Sequence, residues 1–327
     1  HNNTQHDTLS LHDALPIWTN MLVYLSEYIH PDAVKLLKQH GEITDTFDSI
    51  REIDAIILRT ANITRDIISQ ASSLKVIVKH GVGCNTIDLE AAKEYKIPVI
   101  NTPKANTNSV AELIIGLILN VCRGIAFCDA KSRHEGFGRI APPEMTGIEL
   151  TGKTIGLVGM GNIALRTGEI LKNGFDTVLV GYDPYCTAEQ AAIFGIKKYN
   201  DLNKMLEVSD IVNISVPLTP STKNLIAGDS FLHFKKNAVL INAARGGIVN
   251  EDDLYTALKT RQLRAAACDA FVKEPPTGEN KLTKLNNFCA TPHIGANTEE
   301  ALYRMGMEAV KAVIGAIEGN AAKYRVV

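Results

Sequence analysis

From Met21 onward, short aliphatic runs alternate with stretches in which apolar residues recur every three or four positions. Runs of the first kind predict β-strands, and stretches of the second kind predict amphipathic helices. The first third of the chain is predicted to hold strands at Met21–Ser26, Ala55–Leu58, Leu74–Lys79 and Pro98–Asn101, with helices at Pro31–His40, Thr64–Ala71 and Asp88–Glu94. Such alternation predicts a parallel sheet with helices on both faces.

A second series of the same kind follows a long amphipathic segment, which is predicted as one helix from Ser109 to about Lys131. The series opens on the strand Thr154–Gly159 and a helix from Asn162. Its other predicted elements are strands at Thr177–Tyr182, Asp210–Ser215, Ala238–Asn242, Arg264–Asp269 and Phe288–Ala290, and helices at Ala188–Phe194 and Glu299–Glu318. Domains commonly have about 100–200 residues, so 327 residues with two such series predict two α/β domains.

The first eighteen residues do not share this pattern, because they are polar and lack apolar alternation. They also lack the basic start and the apolar stretch of a secretory signal. We therefore predict that residues 1–18 are a leader foreign to the fold, either disordered or artefactual.

Composition and charge exclude several classes of partner. The chain has 34 Lys and Arg against 36 Asp and Glu, a formal charge of −2, whereas nucleic acid or an anionic membrane surface requires a dense basic field. Six cysteines show neither a C-x-x-C pair nor metal-ligand spacing with histidine, which predicts reduced thiols and no metal site. No apolar run approaches the ~20 residues that cross a bilayer. The sequence therefore predicts a soluble, cytoplasmic protein with a small-molecule ligand and neither a nucleic-acid nor a membrane partner.

A glycine cluster follows the strand that opens the second series. In Gly159-Met-Gly161-Asn-Ile-Ala164, the first glycine permits a tight turn, the second lets the backbone approach a pyrophosphate, and Ala164 keeps the helix close to the strand. Asp183 ends the next predicted strand, where an acid accepts hydrogen bonds from the adenosine ribose. Its charge repels a 2′-phosphate, and no arginine follows it directly. The segment therefore predicts a dinucleotide site that prefers NAD to NADP.

Three polar residues, Arg245, Glu274 and His293, follow later strands of the same series. Residues past the carboxyl ends of parallel strands face the ligand crevice, so these side chains are expected to meet there. An imidazole can give and take a proton near neutral pH, a neighbouring carboxylate favours its protonated form, and a guanidinium can hold a carboxylate. Together they predict hydride transfer at a 2-oxo acid.

Four segments in series, VGMGNIA (158–164), NAARGGIV (242–249), CDAFVKEPP (268–276) and TPHIGANT (291–298), resemble the D-isomer-specific 2-hydroxyacid dehydrogenases, most of all the short, phosphoglycerate-dehydrogenase-like members. The resemblance implies Arg245 as substrate clamp, His293 as acid/base and Glu274 as its partner. It implies NAD as the cofactor, with contacts from Gly159, Gly161, Asn162, Ile163, Asp183, Val216, Pro217, Ala243, Ala244 and Asp269.

The resemblance also implies a substrate loop in the first half, where the backbone amides of Val82 and Gly83 meet the substrate carboxylate. This loop reads Cys84-Asn85-Thr86, where the family commonly has an apolar residue followed by Asp-Asn. The stretch Glu135–Phe137 lacks the tryptophan that is usual in the family. These departures affect the residues expected to contact the part of the substrate away from its reacting carbon, and they leave the residues for hydride transfer unchanged.

Two basic residues, Arg59 and Lys79, precede this loop. They are expected either to bind a distal phosphate or carboxylate of the substrate, or to be exposed surface charges without a role. 3-Phosphoglycerate, glycerate or hydroxypyruvate, and glyoxylate are all candidate substrates.

The resemblance implies a layout that periodicity alone does not give. A flavodoxin-like substrate domain would comprise residues 19–104 and 294–327, with a Rossmann-type NAD-binding domain, residues 105–293, inserted into it. The helix from Ser109 would pair two subunits into a homodimer. Because the sequence ends at Val327, a regulatory C-terminal domain is not expected.

Two alternatives stay open. One is a non-catalytic NAD(H)-sensing corepressor or scaffold of the same fold, since such sensors can keep the three polar residues. The other is a formate or phosphite dehydrogenase, although formate-type members carry Gln at the position of Glu274.

Overall fold

The structure is a computed structural model that describes residues 21–134, 143, 146–320 and 324–327. The predicted leader, residues 1–18, and the stretch Glu135–Phe137 lie outside the described residues. The described residues fold into two compact units. One holds residues 21–80, Thr86–Asn101 and Gly306–Val327, and the other holds Gly81–Asn85 and Thr102–Met305. The domain boundaries given above stay a prediction.

The first unit contains strands β1 (Met21–Leu25), β2 (Gly41–Thr44), β3 (Ala55–Leu58), β4 (Val76–Lys79) and β5 (Val99–Ile100), and helices α1 (Pro31–Lys38), α2 (Arg65–Gln70) and α3 (Leu89–Glu94). In the described part of this unit the five strands form one parallel sheet in the order β2-β1-β3-β4-β5. This is the flavodoxin-like order, so the predicted fold of this unit is confirmed.

The helices of the first unit begin where the sequence supplies acceptors for their free N–H groups. The hydroxyl of Thr64 accepts from the N–H of Ile67, and the carboxylate of Asp88 accepts from the N–H of Ala91. Capping of this kind stabilises a helix start by about 1 kcal/mol. The predicted helices therefore begin within a residue of their observed starts.

The second unit contains strands β6 (Thr154–Val158), β7 (Val178–Tyr182), β8 (Ile196–Tyr199), β9 (Ile211–Ile214), β10 (Ala238–Asn242), β11 (Leu263–Cys268) and β12 (Phe288–Ala290). Its helices are α4 (Thr107–Arg123), α5 (Ile125–His134), α6 (Asn162–Phe175), α7 (Ala188–Ile193), α8 (Leu202–Val208), α9 (Glu251–Lys259) and the start of α10 (Glu299–Ile317), which continues into the first unit.

The seven strands described in this unit form a parallel sheet in the order β12-β11-β10-β9-β6-β7-β8. The chain reverses direction across the sheet between β6 and β9, which is the Rossmann arrangement, and such a reversal places a ligand crevice at the carboxyl ends of the strands. Strands β9 and β10 are buried along their whole length. The predicted Rossmann-type fold is confirmed.

The prediction of a single helix from Ser109 to about Lys131 is wrong. Helix α4 ends at Arg123, because Gly124 adopts a left-handed conformation with φ 61° and caps it. Helix α5 leaves at an angle of 59°. Apolar periodicity continues across the break, which is why the pattern did not show it. In the part of the chain that the structure describes, no single helix is long and apolar enough to span a bilayer; only this bent pair passes a test of length and composition.

Elements that the hydrophobic pattern missed are β2, β8, α8 and α9. The two strands lie at sheet edges and alternate poorly, as in the Lys197-Lys198 pair of β8. The two helices have seven and nine residues and are started by the side chains of Asp201 and Asn250. Short elements at the surface give weak periodicity, so capping residues are the signal that could have found these helices.

Candidate active site

The turn after β6 leaves room for a ligand at one glycine and not at the other. Gly159 has φ 88°, and a β-carbon there would lie 2.6 Å from the carbonyl oxygen of Ser215 and 2.8 Å from Cγ1 of Val216. In front of Gly161, by contrast, no atom lies within 4 Å of the β-carbon position. Gly161 is also the N-cap of α6 without a side-chain cap. Helix α6 thus begins with N–H groups that no side chain caps, next to a position with open space, which fits a pyrophosphate.

Asp183, directly after β7, holds this turn in place. Its Oδ2 accepts from the N–H of Met160 and its Oδ1 from the N–H of Tyr185, each at 2.8 Å. A carboxylate has about four lone-pair sites, so two remain for a ligand hydroxyl. The residue thus lies where the sequence predicted an acid, at the carboxyl edge of the sheet.

The turn that carries Arg245 is fixed by the side chain of Asn242, which is buried at the end of β10. Its Nδ2 donates to the carbonyl of Arg245 at 2.9 Å, and its Oδ1 accepts from the N–H of Ala244 at 3.1 Å. Val216 and Pro217 follow β9, the neighbouring strand. All these residues lie at the carboxyl edge of the sheet.

The guanidinium of Arg245 is held on three sides by uncharged groups. Nη1 donates to the carbonyl of Ala244 at 2.6 Å, and Nε donates to Oδ1 of Asn85 at 3.4 Å. A β-carbon on residue 83 would overlap Nη2, so the chain at Gly83 lies directly against the guanidinium. The segment 81–85 belongs to the same compact unit as Arg245.

Burial lowers the pKa of Arg245, while electrostatic interactions with Glu274 and Cys84 work in the opposite direction. A partly desolvated guanidinium is costly unless an anion pairs with it. The site therefore suits a bound carboxylate.

Glu274 and His293 form a hydrogen-bonded pair, with Oε2 of Glu274 2.8 Å from Nδ1 of His293. The side chain of Glu274 is 35% exposed and that of His293 is 39% exposed, so both can reach a ligand. Burial works to raise the pKa of Glu274, but the hydrogen bonds from His293 and from the N–H of Phe271, with the charges of His293 and Arg245, outweigh it and lower the pKa. Glu274 is therefore a carboxylate at neutral pH and holds the imidazole by one nitrogen, leaving the other for substrate.

The loop that carries His293 is tied to Asp269, which is 1% exposed at the end of β11. Oδ1 of Asp269 accepts from the Thr291 hydroxyl at 2.6 Å and from the N–H of Ile294 at 2.8 Å, and Oδ2 accepts from the N–H of Gly295 at 2.9 Å. His293 itself has φ 56°, a strained conformation for a non-glycine residue. These bonds hold the strained loop, and the contact of Asp269 with NAD stays a prediction.

The predicted substrate residues divide between the two units. Val82 and Gly83 lie in the second unit, whereas Arg59 and Lys79 belong to the first. The expectation that Lys79 is an exposed surface charge is wrong, since it is 5% exposed. Its ammonium group donates to the carbonyl of Arg59 and, at 3.0 Å, to Oγ1 of Thr86.

Sequence reasoning assigned no role to Asn85, Asn242 or Thr291, although each contacts a predicted site residue. In the sequence, Asn85 stands out only as a departure from the family pattern, and Thr291 only as part of the TPH motif. Their partners are distant in sequence, so no local pattern shows the contacts. In the portion of the chain that is described, no cluster of three or more His, Cys, Asp or Glu side chains could hold a metal ion.

A parallel sheet with a glycine turn after its first strand, and a His–Glu pair and an arginine after later strands, defines a dinucleotide-dependent dehydrogenase. Residues 115–295 match the family model described as D-isomer specific 2-hydroxyacid dehydrogenase, NAD binding domain. The chain belongs to the D-isomer-specific 2-hydroxyacid dehydrogenase family, whose members are NAD-dependent dehydrogenases. The predicted family and the predicted cofactor, NAD, are confirmed.

Individual relatives extend the similarity beyond that domain. D-3-phosphoglycerate dehydrogenase of Methanocaldococcus jannaschii is 37% identical over 310 residues, 92% of this chain and 58% of that protein. Hydroxypyruvate reductase of Thermotoga maritima is 37% identical over 290 residues, 87% of this chain and 92% of that protein. The crystal structure of the TT0316 protein of Thermus thermophilus has a TM-score of 0.86 at 28% identity, covering 94% of this chain and all of that one. The chain thus spans little more than half the length of the first of these relatives.

Proposed function

We propose that this protein transfers a hydride between NAD(H) and a small 2-oxo or D-2-hydroxy acid. The observation that carries the proposal is the 2.8 Å pair of Glu274 and His293, in the same unit as Arg245 and the glycine turn. Glu274 and Arg245 are near enough for each charge to affect the pKa of the other. An acid/base, its partner and a carboxylate clamp are the groups that this chemistry requires.

In the proposed reduction, His293 donates the proton that the developing alkoxide needs, and Glu274 keeps the imidazole oriented and favours its protonated form. Bound NADH supplies the hydride. Arg245 binds the substrate carboxylate by its planar fork, with the N–H groups of Val82 and Gly83 as further donors. The groups in direct contact with the guanidinium of Arg245, which are Asn85, the carbonyl of Ala244 and Gly83, carry no charge, so its charge is available to the substrate.

The proposed cofactor contacts follow the geometry of the turn after β6. The N–H groups that follow Gly161, at Asn162 and Ile163, would hold the pyrophosphate, and Asp183 would accept from the adenosine ribose and disfavour NADPH. The residues proposed to line the rest of the cofactor are Val216, Pro217, Ala243, Ala244 and Asp269.

3-Phosphoglycerate and the related pairs glycerate/hydroxypyruvate and glycolate/glyoxylate are the proposed substrates. Support comes from the two curated relatives, which are named as a phosphoglycerate dehydrogenase and a hydroxypyruvate reductase.

All six cysteines are free thiols, which supports a reducing, cytoplasmic location. A homodimer is the proposed assembly, and light scattering on the purified chain measures it.

The proposal is tested by NADH oxidation with glyoxylate, hydroxypyruvate and 3-phosphohydroxypyruvate. Arg245→Ala should lose most activity with every acid. His293→Asn, a residue that tolerates positive φ, should lose roughly 10²-fold or more in kcat while NADH binding, measured by fluorescence, stays nearly unchanged. Binding of NADH without turnover of any acid would instead identify a sensor or scaffold.

A further inference from the structure

Glu251, the first residue of helix α9, binds the segment that carries Glu274 at both of its ends. Oε1 of Glu251 accepts from the N–H of Val272 at 2.7 Å, just before Glu274 in the chain. Oε2 accepts from Nδ2 of Asn280 at 3.3 Å, after Glu274 in the chain. One carboxylate thus closes the segment between Val272 and Asn280 into a loop.

The peptide group that joins Phe271 to Val272 is fixed on two sides. It lies so close to Gly246 that a β-carbon on residue 246 would overlap its carbon, oxygen and nitrogen atoms. Its N–H is the group that donates to Glu251. The preceding N–H, that of Phe271, donates to Oε1 of Glu274 at 3.0 Å. Two successive N–H groups are therefore divided between two carboxylates, and holding the second N–H also keeps the first one directed at Glu274.

The geometry of the Glu274–His293 pair depends on how firmly each partner's backbone is held. Oε2 of Glu274 lies 2.8 Å from Nδ1 of His293, and both side chains are partly exposed to water, which can compete for this hydrogen bond. Groups that transfer a proton must be held within about 0.5 Å of the productive geometry. Asp269 holds the loop of His293, and the contacts of Glu251 hold the segment of Glu274.

We propose that Glu251 is a positioning residue for the acid/base pair. Its carboxylate holds the backbone before Glu274, so that Glu274 keeps the imidazole of His293 oriented. The inference rests on the proposed function and deepens it by adding a residue that acts through Glu274. All of these groups belong to the second compact unit.

The test uses the acid that the unmodified chain reduces fastest. Glu251→Met removes both acceptor oxygens and keeps a side chain of similar length. We expect kcat for reduction to fall about tenfold, less than in Glu274→Gln. The pH optimum should move to lower pH, because the imidazole is less often beside its stabilising charge. KM for the acid should stay within about twofold, since Asn242 holds the turn of Arg245.

The matched control is Asp252→Asn, which changes the next acid of the same helix. Its side chain is 81% exposed, and the variant should leave kcat, KM and the pH optimum unchanged. Urea unfolding of Glu251→Met separates positioning from a general structural role. A lower urea midpoint with an unmoved pH–rate profile would show that Glu251 serves stability alone and would overturn the proposal.

A pair of substitutions tests the contact without removing the side chain. Glu251→Gln sets an amide donor against the donor of Asn280, and Asn280→Asp sets a second carboxylate against Glu251. Each single variant should lose about threefold or more in kcat. In the double variant, the amide at position 251 can donate to the carboxylate at position 280 and still accept from Val272. Its kcat should return to within about twofold of that of the unmodified chain.

A second double-mutant cycle asks whether Glu251 acts through Glu274. In a Glu274→Gln background, Glu251→Met should cause no further fall in kcat. An equal fall in that background, or a swapped double variant no faster than either single variant, would overturn the proposal. Failure of the proposed function looks different, because then the unmodified chain reduces none of the acids, and the inference fails with it.

Discussion

Gly83 lies so close to Arg245 that a β-carbon on residue 83 would overlap Nη2 of the guanidinium. The two residues are far apart in sequence, yet they meet because the segment 81–85 belongs to the compact unit of the dinucleotide turn. With Asn85 and the carbonyl of Ala244, this contact fixes where the guanidinium points. The position of the clamp is therefore set by the absence of a side chain as much as by hydrogen bonds.

Replacing Gly83 by alanine should displace the guanidinium of Arg245. We expect KM for every 2-oxo acid to rise about tenfold or more. NADH affinity should stay unchanged, because the glycine turn after β6 is held by Asp183 and not by Gly83. Steady-state kinetics and NADH fluorescence measure the two effects. Gly116→Ala is the matched control, because no atom lies within 4 Å of a β-carbon there and the site is in helix α4. Unchanged KM values in Gly83→Ala would contradict the contact.

Replacing Glu274 by glutamine removes the negative partner of His293 and keeps its shape. We expect kcat for reduction to fall roughly 10²-fold and the pH optimum of reduction to move to lower pH, because protonated imidazole loses its stabilising charge. The pH–rate profile tests this. The lowered pKa of Glu274 means that its charge persists below the ordinary value of 4.5 and is lost only as pH falls through the lowered pKa. A profile identical to that of the unmodified chain would show that the pair does not serve the reaction.

Replacing Asp183 by asparagine should weaken the choice between the two cofactors. The amide keeps an acceptor for one of the two N–H groups that hold the turn, but it no longer repels a 2′-phosphate. The ratio of kcat/KM for NADH to that for NADPH should fall about tenfold, mainly through a gain with NADPH. An unaltered ratio would mean that residues other than Asp183 discriminate between NADH and NADPH.

The acid stability of the first unit should depend on Glu27. Burial works to raise the pKa of Glu27, but its hydrogen bonds outweigh burial and lower the pKa from 4.5 to about 2. A lowered pKa in the folded state stabilises the fold above the unfolded pKa, and this stabilisation is lost as pH falls from about 4.5 through about 2. At neutral pH it is at most about 3 kcal/mol, reduced by partial solvent exposure.

Urea unfolding of Glu27→Gln at several pH values checks this. The variant should be less stable than the unmodified chain at pH 7, and the difference should shrink as the pH approaches 2. The exposed Glu42→Gln serves as control. If the difference in the free energy of unfolding stayed constant over this pH range, the charge of Glu27 would not be the source of the stabilisation.

Much of this protein is determined by its sequence alone. Alternating aliphatic runs and amphipathic stretches specify parallel α/β units, because a strand buried on both faces must be apolar along its length. The glycine turn and Asp183 could also be placed from the sequence, because a turn between a strand and a helix depends on residues that are close together in the chain. The order of Arg245, Glu274 and His293 after successive strands placed them at one edge of the sheet.

The tertiary structure alone decided the rest. Whether Lys79 is exposed, what surrounds Arg245 and which groups hold the loop of Arg59 depend on segments that are far apart in the chain. The bend at Gly124 was also invisible, because a glycine ends a helix only where its neighbours favour the left-handed conformation. Burial and hydrogen-bond partners are properties of neighbours in space, and the sequence lists only neighbours along the chain.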